Sequence, residues 1–274
     1  MNGDMAFDCR AAEGERNGGY DSNRAAISRL WAFWGRGKDY NPADRALGET
    51  IAARFPQIES VARHRLVFRS RVVRALASEG VDQVLVAGVD MPTHDEVHTI
   101  AQSVNPGARV VYADADELVM LHAGAYFNSN RAGTCAFVRA GLDNPRAVVS
   151  GAADALDLDR PVAVLLINSL DVLSDPQAVA AVFAFRKALV AGSRIAFCHL
   201  TAEYDRGLGS LGSMCAGISP GPLCVRNPAA LETFCTGMEL LTPGLVPAPV
   251  WRPDPGPWQV PTSVDLWCAV GVLP

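Results

Sequence analysis

The chain has 274 residues, of which 49% are hydrophobic and 19% charged, with a net charge of −5. That length suits one large α/β domain with a substantial core. The scattered basic residues give no footprint for nucleic acid, and no apolar run reaches the roughly 18 residues of a membrane span.

The opening stretch, "MNGDMAFDCRAAEGERNGGYDSNR", lacks the apolar core of a secretory signal and reads as a flexible arm over 1–24. A cytoplasmic protein is the expectation. The seven cysteines are widely spaced with no C-x-x-C pair, so neither zinc nor a disulfide framework is expected.

Residues 25–80 read as a helical cap. "NPADRALGETIAARF" and "PQIESVARHRLVFRSRVVRALASEG" keep apolar residues at helical spacing, and the second stops on a glycine. Trp31, Phe33 and Trp34 read as core, or as the edge of a lid.

From residue 81 to 274 the pattern alternates. "VDQVLVAG", "ARVVYADAD", "CAFVRAG", "RPVAVLLINSL" and "GSRIAFCHL" read as strands. "THDEVHTIAQSV", "DELVMLHAGAYF" and "DPQAVAAVFAFRKAL" read as helices between them. Strands alternating with helices predict an α/β, Rossmann-like fold with a mainly parallel central sheet and helices on both faces. Residues 201–225 lack periodicity and read as a long loop over a pocket. A helix ("NPAALETFCTG"), a strand ("MELLTP"), a Pro/Trp-rich crossing and a closing strand ("SVDLWCAVGVL") follow.

Ligands of an open parallel sheet bind beyond the carboxyl ends of its strands. Those ends are Gly88–Asp90, Asp114–Asp116, Gly141–Asp143, Asn168–Asp171 and His199–Tyr204. Asp114 follows a β-branched strand, where an acid accepts both ribose hydroxyls of an adenosine cofactor. A helix-capping aspartate is the competing reading at that junction. His199 and Asp171 close the two strongest strands, as a general base with its orienting carboxylate or as a hydrogen-bonded structural pair. His94 and His98 have the i,i+4 spacing of metal ligands, but no third ligand is evident, so no metal is expected.

Several segments resemble a bacterial family of S-adenosyl methyltransferases. "RLWAFWGRGKDYNPADRA" is similar to its opening segment, and "FPQIESVARHRLVFRSRVVRALA" to its Phe-Pro helix. "VLVAGVDMPTHDEVH" stands at its Gly-Ser-Gly-Leu-Pro-Thr loop, and "RVVYADADELVMLHA" at its ribose-binding strand. "LDLDRPVAVLL", "GSRIAFCHLTAE" and "GMELLTPGLVPAPVWRPD" also match, the last most specifically.

The resemblance implies a class I methyltransferase fold with a site for S-adenosylmethionine (SAM). It implies cofactor contacts from Gly88, Val89, Asp90, Thr93, Asp114, Ala115, Gly141, Leu142, Asn168, Lys38 and Asp39. His199, Asp171 and Tyr204 become the catalytic candidates, and the partner a small-molecule substrate, with oligomeric state unread. The chain departs from the family at Val86, Asp90, Gly141, Asp171, Ala32 and Arg36. It keeps Gly88, Pro92, Thr93, His98, Asp114, Lys38, Asp39 and His199.

Asp90 replaces a cradle glycine, so its charge is expected to repel the cofactor carboxylate unless it meets the α-amino group instead. On the first of these, Asp90→Gly tightens SAM binding. Three functions stay open: methyl transfer to a small molecule; other chemistry, such as cyclisation or isomerisation, using Asp171, Asp90 and His199; and a non-catalytic binding protein.

Overall fold

The computed structural model describes residues 21–93, 95–218, 220–254 and 261–274. The arm expected over 1–24 lies almost wholly outside them.

Three helices lead: α1 (Ile27–Trp34), α2 (Pro42–Arg54) and α3 (Ile58–Ser78). Then β1 (Gln83–Ala87), α4 (Val97–Val104), β2 (Arg109–Ala113), α5 (Glu117–Tyr126), β3 (Thr134–Val138), α6 (Pro145–Ala152), β4 (Ala163–Ile167), α7 (Asp175–Ala188) and β5 (Arg194–Leu200) alternate. A short α8 (Leu211–Met214) and α9 (Pro228–Cys235) precede β6 (Glu239–Leu240), β7 (Val246–Pro247) and β8 (Leu266–Val272).

The sheet runs β3-β2-β1-β4-β5-β8-β6, with β7 also paired to β8. Strands β1 to β5 pair in parallel, and β8 lies antiparallel against β5 along its length. The order reverses between β1 and β4, so the crevice for a ligand opens there. This is the class I methyltransferase arrangement that the sequence implies.

The continuous apolar strands are explained by burial on both faces. Val84 and Val86 of β1 pack among α3, α4 and the leading helices, while Leu85 and Ala87 face the layer of α6, α7 and α9. Trp31 and Trp34 are core residues meeting edge to face. Helix α2 begins with Asn41 and Asp44 in a reciprocal capping box, and Asp44 also accepts from Arg29 and the Ala26 amide.

Two features escape the sequence reading. Helix α6 is only eight residues long, too short for a clear period, although Asn144 caps it and Pro145 opens it. The 201–225 segment has no period because it is assembled from a short 3-10 turn, α8 and extended chain. It is nonetheless pinned by buried Leu208, Leu211, Cys215, Leu223 and Val225, and Asp265 accepts from the amides of Tyr204 and Asp205.

Candidate functional site

The turn after β1 is the centre of the site. Gly88 has φ +88°, in the left-handed region that favours glycine. A Cβ there would run into the Ser169 Cβ, so the loops after β1 and β4 touch through this missing side chain. The Ser169 hydroxyl is buried without a hydrogen-bond partner among the described residues.

Asp114, at the end of β2, braces the same turn. Its Oδ2 accepts from the Val89 amide at 2.7 Å, and its Oδ1 from the Asp116 amide at 2.7 Å. Burial pushes its pKa up to about 6, against these two bonds and helped by the nearby charges of Asp116 and Asp90. Each oxygen keeps a second lone pair for a ligand hydroxyl. The helix-cap role falls instead to Asp116, which accepts from the amides of Leu118 and Val119.

Asp90 is not an unpaired charge. Its Oδ2 lies 2.6 Å from Arg65 Nη1, and the Arg65 side chain is only 2% exposed. The guanidinium also lies over the Trp31 ring, 4.6 Å from its centroid. One helical turn on, Arg69 donates to Thr93 Oγ1 and to the Asp95 carbonyl, both at 2.8 Å. Thr93 in turn donates to Glu96 through its amide and hydroxyl. Two buried arginines of α3 therefore hold the loop after β1. The sequence reading missed both, although they fall on an otherwise apolar helical stripe with Ile58, Val61, Ala62, Phe68, Val72 and Val73.

Gly141 lies at the end of β3 beside Ala115. A Cβ on it would stand 2.9 Å from the Ala115 Cβ and 2.7 Å from Asp143 Oδ1. The Asp143 carboxylate, two residues on, therefore lies against the same backbone. Leu142 is buried in the core beneath this turn.

Asn168 closes β4 with φ +55°, unusual for a residue with a side chain. Its side-chain Nδ2 donates to Asp171 Oδ2 at 2.6 Å, and its side-chain oxygen accepts from the Cys198 thiol at 3.1 Å. Strain of this kind gathers at functional crevices.

His199 and Asp171 do come together, with His199 Nε2 at 3.0 Å from Asp171 Oδ1, but neither has any exposed surface. The Leu200 carbonyl, 2.7 Å from Nδ1, can only accept, so Nδ1 carries the proton. Nε2 then accepts from Arg226 Nη1 at 2.5 Å. Arg226 also donates to the carbonyls of Leu170 and Leu173 and pairs with Asp175. This arginine, unmarked in the sequence reading, ties the end of the 201–225 segment to the turn after β4.

Tyr204 is 45% exposed. Burial, with the charges of Glu203 and Asp265, pushes its phenol up, so it stays protonated at neutral pH. Lys38 and Asp39 are exposed in the turn between α1 and α2. His98 is buried, with Nδ1 at 3.0 Å from the Tyr112 hydroxyl. His94 lies outside the described residues, among which no cluster of three metal-ligating side chains occurs. No helix among them is long and apolar enough to cross a membrane.

The crevice between β1 and β4 is thus lined by a glycine turn that admits close approach, with a buried carboxylate fixed beside it. An S-adenosyl methyltransferase family model matches residues 13–274. A DUF574 family protein from Streptomyces avermitilis MA-4680 is 32% identical, covering 93% of this chain and 99% of its own, with a TM-score of 0.86. A candidate methyltransferase from Thermobifida fusca YX is 29% identical, covering 92% and 96%, with a TM-score of 0.83. No curated protein matches. With nearly its whole length matched, the chain belongs to the S-adenosyl methyltransferase family.

Proposed function

We propose that the protein binds SAM in the crevice beside Gly88 and Asp114 and methylates a small-molecule nucleophile. The observation that carries this reading is the Gly88–Ser169 close approach with the Asp114 carboxylate fixed beside it. When bound, SAM supplies an electrophilic methyl group on a sulfonium. Asp114 would accept the ribose hydroxyls, and Asp143 the adenine amino group in place of an acid at 141. Lys38 and Asp39 belong to the same proposed site from the cap side.

The chain's own contribution is mainly to bind and orient. His199 acts here as a positioning residue, meeting Arg226 and with it the end of the 201–225 segment, with Asp171 packed against the imidazole. Tyr204, as a phenol, donates a hydrogen bond to a substrate rather than taking its proton. Cyclase or isomerase chemistry is less favoured: His199 and Asp171 have no exposed surface, and Asp90 is neutralised by Arg65.

The test is calorimetric titration with S-adenosylhomocysteine across pH. Ribose hydroxyls donate to the ionised Asp114, so affinity is held above about pH 6 and lost as pH falls through it. Stability runs the other way. A carboxylate whose folded pKa is raised stabilises the fold at low pH, and that contribution is lost as pH rises through about 6. Binding about tenfold weaker at pH 5 than at pH 7.5 is expected. Asp114→Asn should bind more weakly and flatten that dependence. No heat at millimolar ligand at either pH refutes the reading.

A further inference from the structure

The sheet ends on one side at β3, and the outer edge of that strand pairs with no other strand among the described residues. Inward, the Thr134 amide donates to the Ala108 carbonyl, and the Val138 carbonyl accepts from the Asp114 amide. A parallel ladder uses alternate residues, so Thr134, Ala136 and Val138 serve β2 while Cys135 and Phe137 turn their amides and carbonyls outward. Nothing in the strand guards this edge: "TCAFV" holds no proline or charge, and its register with β2 runs without a bulge. The opposite end of the sheet finishes on the two-residue β6, which offers far less. Helix α5, beside the β3 edge, is apolar on nearly every side ("ELVMLHAGAY"), the pattern of a helix covered all round. Val119, Met120 and Ala123 face the core, but Leu121 is 62% exposed. Gly124, Ala125 and Phe137 are exposed with it along one groove.

We infer that this face binds a second copy of the chain across a two-fold axis, with β3 pairing antiparallel to its counterpart. With the axis at Ala136, Cys135 stands opposite the partner's Phe137, and the two exchange both backbone hydrogen bonds. Only this register sets the two outward residues against each other. The axis is normal to the sheet, so α5 meets the partner's α5 on the same face. Gly124, with open space where a side chain would be, and Ala125 let the helices approach, and Leu121 is covered. Charge is complementary under the same axis. Arg131 is exposed before the start of β3, and Glu117 is exposed beside its end, paired with Arg139. Antiparallel pairing carries the partner's Arg131 to the end where Glu117 stands. A second copy therefore meets all the demands of the face: a strand for the edge, apolar surface for the groove, and opposite charges at opposite ends.

Sedimentation equilibrium of the wild-type chain should show a dimer with a Kd of about 10 µM or tighter. Leu121→Asp brings a carboxylate from each copy towards the axis and should weaken association about 30-fold or more. Because Leu121 is exposed, the melting temperature of the monomer should hardly change. Phe183→Asp, at the 58% exposed phenylalanine of α7, should leave the dimer unchanged. Strand pairing has its own test. Across the axis the Ala136 Cα atoms of the two copies lie about 4.5 Å apart, within disulfide reach. In a Cys135→Ser background, Ala136→Cys should therefore form a covalent dimer with copper–phenanthroline as oxidant, and adding Leu121→Asp should abolish it. A wild-type monomer at about 100 µM overturns the inference. So does a dimer that Leu121→Asp leaves intact, one that Phe183→Asp dissociates, or one that Ala136→Cys does not cross-link. The wild-type measurement needs no variant, and all are made without cofactor, so they stand whether or not SAM binds.

Discussion

Arg226→Met is expected to destabilise the fold by about 3–5 kcal/mol, the usual cost of removing one partner from a buried charged network. Arg226 is 5% exposed and makes four polar contacts, to the carbonyls of Leu170 and Leu173, to His199 and to Asp175. Methionine fills the volume and keeps contact with Phe234, but leaves both carbonyls dry. It also removes the guanidinium that meets His199 Nε2, next to the Asp171 carboxylate, which has no exposed surface. In a chain of this size the melting temperature should fall by on the order of 10 °C. Arg226→Lys should recover little of this, because one ammonium cannot reproduce a planar fork bonded on several edges. Guanidinium unfolding measures both variants. A loss under 1 kcal/mol would mean that the network is not what holds the 201–225 segment. Asp171→Asn separates the competing roles: a stability loss with turnover kept marks a positioning residue, and the reverse marks an acid or base.

Gly88→Ala should cost about 2–5 kcal/mol. Roughly 1–2 kcal/mol comes from placing a side chain at φ +88°. About 1–3 kcal/mol more comes from overpacking against Ser169. The two parts are separable. Gly88→Ala/Ser169→Gly removes the collision but not the backbone penalty, so it should regain about half of the loss. Ser169→Gly alone should cost little, because its hydroxyl makes no hydrogen bond among the described residues. Non-additivity between the two sites, read from denaturation midpoints, is the expected signature. Additive losses would show that the loops after β1 and β4 do not meet as described. The same close approach shapes the crevice floor, so Gly88→Ala should also weaken S-adenosylhomocysteine.

Asp90 shows why part of the site was unreadable. In the sequence it is a charge on a glycine loop, and Asp90→Gly is expected to relieve repulsion. The structure gives that charge a buried partner 25 residues upstream, so the substitution would strand Arg65 without a counter-charge. Position 141 is similar. As a string, it has lost an acid; in space, Asp143 stands against the same backbone. Arg65 and Arg69 were legible as a pattern, since two cations at i,i+4 on an apolar stripe must be paired once buried. What they pair with was not, because that depends on how α3 lies across the β1 turn.

The sequence by itself determined the alternation of strands and helices, the two-sided burial of the sheet, the Gly88 turn and the Asp114 strand end. These follow from local rules: apolar period, capping, and the left-handed freedom of glycine. It also carried enough of the opening, loop and C-terminal motifs to resemble the family. Only the tertiary structure decided which charges neutralise each other and which polar groups keep a surface. It turned His199 and Asp171 from strand-end candidates into a buried pair, with His199 meeting Arg226, and Asp90 from a repelling carboxylate into half of a couple. Electrostatic roles depend on distances of a few ångströms between residues far apart in the chain, and on burial, which multiplies their strength. Neither quantity is written in a local stretch of sequence.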